Sequence, residues 1–200
     1  MKYLKVLNAR WNCGISDNDI VGLDLNILYA SFNSKIKNVS LTKSLKVLDA
    51  AGCCGISDDG MVGLDLIELD ASYNSKIKNV SHMKSLKMLN AAGYCGISDD
   101  GIAGLDLIKL NASNNRKIKN ISHMKSLKVL HAYVDCGISD DCIVGLNLIE
   151  LYASNNNKIK NVSHMKSLKV LHANGDCGIS DNSIIGLDLI ELNACDNSKI

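Results

Sequence analysis

Leucine, alanine and asparagine recur along this chain at fixed distances. Leu4, Leu45, Leu86, Leu127 and Leu168 open equivalent segments 41 residues apart, and no insertion or deletion interrupts the period. Each period divides again at Leu25, Leu66, Leu107, Leu148 and Leu189, so half-units of 21 and 20 residues alternate as odd and even turns. In both, an L-x-x-L-x-A run alternates apolar and variable positions. That alternation predicts a short strand with Leu48 and Ala50 on its inner face and Val47, Asp49 and Ala51 on its outer face. So short a strand is not stable alone, but stacked copies form a parallel sheet whose inward side chains make one continuous core.

The remainder of each turn reads as a return path. The even-turn asparagines (Asn33, Asn74, Asn115, Asn156, Asn197) fall where the chain leaves the strand and its backbone groups lose ladder partners, which a side-chain amide can replace. Ser57-Asp58 in odd turns and Ser81 in even turns are expected to cap one helical or 3₁₀ turn, with Met61, Val62, Leu64 and Met83 pointing inward. Gly63 and its equivalents occupy a place where positive φ is expected.

The even turn, LIELDASYNSKIKNVSHMKS over 66–85, carries L-x-x-L-x-A-x-x-N-x-x-I-x-x-V. This resembles the leucine-rich-repeat signature with Ala in place of its third Leu. The odd turn is similar to the cysteine-containing variant of many F-box substrate receptors, although its cysteine (Cys13, Cys54, Cys95, Cys136, Cys177) lies one place later. The resemblance covers essentially the whole chain. It implies an α/β leucine-rich-repeat solenoid of ten turns in a 41-residue double repeat, with a parallel β-sheet on the concave face and short helical or 3₁₀ segments on the convex face. Residues 1–200 read as a single domain without capping sequence at either end, which points to a fragment of a longer array or to self-association through bare ends. The Asn-, Lys- and Ile-rich style resembles repeats of amoeba-infecting large DNA viruses or AT-rich protists.

Charge and special residues add constraints. Lys plus Arg total 22 against 21 for Asp plus Glu, leaving no overall field for nucleic acid or an anionic membrane, and neither is an expected partner. No apolar run reaches the length of a membrane span, and the start lacks a secretory h-region, so an intracellular, cytoplasmic location is expected. The sequons at Asn38, Asn79, Asn120 and Asn161 then read as products of duplication. The repeated cysteines stand about 10 Å apart, beyond the roughly 7 Å of a disulfide, and read as buried, reduced thiols; Cys53, Cys142 and Cys195 are left as candidate exposed thiols. His82, His123 and His164 form a similarly spaced surface ladder. The segments HAYVDC and HANGDC place His131 or His172 near an Asp and a Cys, yet along an extended strand these groups stay too far apart to meet. No cofactor and no metal site is expected. Lysines of the K-I-K-N runs, such as Lys78, alternate with S-D-D acids such as Asp58 and Asp99 and read as an ion-pair ladder.

The functional signal lies where the copies differ. Core positions repeat, whereas the outward strand positions and the residues after them change, and seven of the eight aromatics fall there. Tyr and Trp are residues that anchor interfaces. The candidate partner-binding residues are therefore Trp11, Tyr29, Phe32, Asp49, Glu68, Asp70, Tyr73, Tyr94, His131, Tyr133, Tyr152 and His172. The acids among them call for a partner with a basic segment. Non-enzymatic protein recognition on the concave face, in a substrate-receptor-like version among others, is the favoured function. A structural or self-assembling array, and a metal or hydrolase site around His131 and His172, are the alternatives.

Overall fold

The computed structural model describes residues 3–200. The chain forms two compact units, Met1–Leu105 and Asp106–Ile200. Each holds five short parallel strands in chain order. In the first unit they are β1 (Val6–Asn8), β2 (Ile27–Tyr29), β3 (Val47–Asp49), β4 (Glu68–Asp70) and β5 (Met88–Asn90). In the second they are β6 (Lys109–Asn111), β7 (Val129–His131), β8 (Glu150–Tyr152), β9 (Val170–His172) and β10 (Glu191–Asn193). The central leucines pair in register, Leu28 with Leu48 and Leu48 with Leu69 in the first unit, Leu130 with Leu151 and Leu151 with Leu171 in the second. Burying that column holds every first and third strand residue on the other, open face.

The core is the predicted one at Leu48, Ala50, Ile56, Met61, Leu64, Leu66, Ile77, Val80 and Met83, all buried. Two outward or inward assignments change. Ala51 and Ala92 are buried rather than exposed, because the chain bends just past the strand and the alternation stops. Val62 is exposed rather than buried, because Met61 ends the one-turn helix and Val62 adopts an extended ψ of 128°.

Helical turns occur in odd turns alone among the described residues, at Asp17–Ile20, Asp59–Met61, Asp100–Ile102, Asp140–Ile143 and Asp181–Ile184. The even-turn serines do not start helices. Instead Asn79 Oδ1 accepts both the N–H and the hydroxyl of Ser81, closing a tight turn that also engages the sequon asparagine. The residue three places after the serine of the odd turn decides the helix type. Where it has a side chain, as at Asp19, Cys142 and Ser183, that side chain reaches back to the N–H of Ser16, Ser139 or Ser180, and the turn is α-helical. Where it is Gly60 or Gly101 the turn is 3₁₀, and a Cβ on Gly60 would lie 2.0 Å from the Lys37 carbonyl oxygen of the preceding turn. Cys142 is buried and is therefore not an exposed thiol.

Two ladders tie successive turns. Asn74 Nδ2 donates to the carbonyls of Ala50 and Ile56 at 2.8 and 3.1 Å, while its Oδ1 accepts the Lys76 N–H; Asn33, Asn156 and Asn197 repeat the pattern. The second ladder replaces the expected ion pairs. Asp58 Oδ1 accepts the main-chain N–H groups of Lys78 and Asn79, as Asp17 and Asp140 do for their counterparts. Lys78 thus meets its acid through its backbone N–H. Cys54, Cys95, Cys136 and Cys177 are buried, whereas Cys13, in the first turn with none before it among the described residues to cover it, is only half-buried; Cys53 and Cys195 are exposed. Burial pushes the Cys136 thiol up to about 11, so it remains protonated and unreactive at neutral pH.

Candidate functional site

The open face of each unit carries the residues that vary between copies. In the first unit their contacts are mostly with one another. The Arg10 guanidinium lies 4.3 Å from the centre of the Tyr29 ring, and its Nη2 sits 2.6 Å from Asp49 Oδ2. Asp70 accepts from the N–H and hydroxyl of Ser72 and from the Asn90 amide. The mutual repulsion expected of Asp49 and Asp70 is relieved by these donors, above all by Arg10, which sequence reasoning did not single out. Glu68 stands beside them as the first residue of β4, half-buried.

Trp11, Phe32 and Tyr73 are held by backbone geometry that the sequence pattern did not reveal. All three have positive φ, 63°, 60° and 58°. The Trp11 and Phe32 rings stack at 4.5 Å. Phe32 and Tyr73 cover Gly52 and Gly93 of the following turn so closely that a Cβ on either glycine would lie 2.5 Å from a ring carbon. These aromatics thus have a structural role at the bend as well as an exposed surface. Tyr94 is 80% exposed.

The second unit brings four of the candidate residues into one cluster. His131 and Tyr152, paired across β7 and β8, stack at 4.3 Å with 12° between planes. Tyr133 packs edge-on against His131 at 5.8 Å and lies 6.0 Å from Tyr152, and His172 meets Tyr152 edge-on at 4.7 Å. Two acids join them: Tyr152 donates its hydroxyl to Glu150 Oε2 at 2.9 Å, and His172 Nε2 lies 2.8 Å from Glu191 Oε1. Glu150 and Glu191 were missed as candidates, although their place two residues before an outward residue put them on the same face.

Burial and the nearby Lys109 charge lower the His131 pKa, with Glu150 partly opposing them. Burial, with the hydrogen bond to Glu150 adding to it, pushes the Tyr152 phenol up to about 12. Tyr133 is raised by burial. At neutral pH His131, Tyr133 and Tyr152 are therefore neutral rings, bordered by the carboxylates of Glu150 and Glu191. The His, Asp and Cys of HAYVDC do not converge: Asp135 pairs with Arg116, and Cys136 is buried in the core. Among the described residues no group of three or more His, Cys, Asp or Glu is placed to hold a metal ion, and no helix is long and apolar enough to cross a membrane.

No protein-family model matches the chain, and no curated protein matches it. Among solved structures it is similar to an internalin C2 from Listeria monocytogenes, at 24% identity and a TM-score of 0.63, over 90% of this chain and 84% of that one. The likeness is one of fold, the leucine-rich-repeat solenoid.

Proposed function

We propose that this chain is a non-enzymatic recognition scaffold that binds a protein partner on its open, concave sheet face, with Tyr133, Tyr152, His131 and His172 as the anchors. One observation carries the reading: four rings on four outward positions are in mutual contact, on a face whose core is already complete beneath them. Rings held rigid by their neighbours lose little freedom on binding, and aromatic clusters of this kind are where interface energy concentrates. Trp11, Phe32, Tyr73 and Tyr94 extend the same character over the first unit. A substrate-receptor role, to which the cysteine-bearing odd turns point, is a narrower version of this proposal, and an intracellular setting is part of it.

The test is partner capture with Tyr133→Ala and Tyr152→Ala combined. Each truncation is expected to cost about 2 kcal/mol or more of binding energy, abolishing capture while circular dichroism stays unchanged. Replacing the exposed His82, His123 and His164 together should leave capture intact. If the histidine triple variant loses the partner and the tyrosine double variant keeps it, the face is wrong. Light scattering that rises with concentration, without any partner, would favour a self-assembling array instead.

A further inference from the structure

The cluster has one side bordered by acids, and its geometry specifies what those acids take. Glu150 and Glu191 are the first residues of β8 and β10, and both pair with Val170 of β9 between them. The two carboxylates therefore flank Val170 on the open face, two strand spacings or about 10 Å apart at the backbone. Tyr152 and His172 form the next row and fix one oxygen of each carboxylate.

We propose that the space between the two carboxylates receives an arginine side chain of the partner, lying flat over Val170 with one edge of its guanidinium on each glutamate. A guanidinium is planar and weakly hydrated, and it presents donors on more than one edge, so it can bridge two carboxylates while its plane rests on an apolar floor. An ammonium is a compact, strongly hydrated point charge and fits such a span less well. The inference rests on the recognition reading above and deepens it.

The first unit shows that this face accommodates such a group. Three periods before Tyr152 stands Tyr29, and over it lies Arg10, bonded to Asp49 Oδ2 through Nε at 2.8 Å and Nη2 at 2.6 Å, with Ser31 Oγ 3.1 Å from Nε. The counterpart of Arg10 in the second unit is Tyr133. Here the chain supplies a ring where the first unit supplies a guanidinium; it keeps the tyrosine, has His172 at the place of Asp49, and carries its acids one row earlier, at Glu150 and Glu191. The cation on the neighbouring strand, Lys109, lies on β6, two strands from Glu150, and acts on His131. In the turn of β9 the Asn174 Oδ1 atom is buried with no hydrogen-bond donor among the described residues.

The experiment titrates the full-length chain with N-acetyl-arginine methylamide, its lysine analogue and its neutral citrulline analogue, followed by NMR. Arginine should give saturable shifts confined to Tyr152, Val170 and His172, lysine a response at least about fivefold weaker, and citrulline none. Glu150→Gln with Glu191→Gln should weaken arginine binding about tenfold or more with an unchanged melting temperature and an intact His131–Tyr152 contact. Equal responses to arginine and lysine, spread over exposed acids such as Asp24 and Asp188, would mean charge screening alone and would overturn the proposal. So would undiminished arginine binding in the double-Gln variant. If arginine fails while Tyr133→Ala with Tyr152→Ala still abolishes partner capture, the arginine site is wrong and the recognition scaffold stands. If arginine binds and those tyrosines prove dispensable for capture, the site stands and the scaffold reading of this face falls.

Discussion

Asn74 illustrates how much one side chain does in a repeat. Its amide closes two buried carbonyls of the preceding turn and orders the start of its own return path. Asn74→Ala would strand both carbonyls, and chemical denaturation should show a loss of about 2 to 4 kcal/mol. Asn74→Asp should do no better, since a carboxylate cannot donate. At the open face the telling residue is His131. Its folded pKa lies below the ordinary value, chiefly through burial and secondly through Lys109. Between the two values the unfolded chain binds more protons than the folded one, so stability should be fully present above about pH 6.5 and fall as pH drops below it. Thermal melts of the wild type against His131→Gln check this: the variant should lose that part of the acid sensitivity.

At the level of single elements, the odd-turn helices depend on one position. Gly60→Ala would drive a Cβ into the Lys37 carbonyl and is expected to cost about 1 to 3 kcal/mol, whereas Cys142→Ala, at the equivalent place in an α-helical turn, should cost under about 1 kcal/mol. Urea midpoints of the two variants decide it. The comparison also shows where legibility stops. Strands, core leucines and the asparagine ladder were legible because each repeats with the period, so a physical reason found once applies in every copy. The choice between 3₁₀ and α, and with it the burial of Cys142, hangs on a single unrepeated residue. Ala51 was misplaced because strand alternation was carried past a bend that sequence spacing does not mark, and Val62 because the helical turn was carried past its end at Met61. Arg10 was missed because its partner Asp49 lies 39 residues away, two turns on in space, and no local pattern couples them. Glu150 and Glu191 were legible in principle, yet attention to aromatic residues passed over them.

For the molecule as a whole, the asparagine ladder makes length a quantised variable. Asn33, Asn74, Asn156 and Asn197 each donate backwards to carbonyls 24 and 18 residues earlier, at the strand end and return path of an odd turn. Odd and even turns are therefore not interchangeable, and the smallest excisable piece is a pair. Removing residues 45–85 rejoins Ser44 to Leu86 with every donor facing the same kind of acceptor, and the shortened chain should melt cooperatively with its spectrum unchanged in shape. Removing only 45–65 sets two even turns against each other and leaves Asn74 with neither carbonyl in place, so a broadened transition at lower temperature is expected. A lineage of such chains would grow and shrink in steps of 41 residues, and its binding faces would differ in extent by whole pairs of rows.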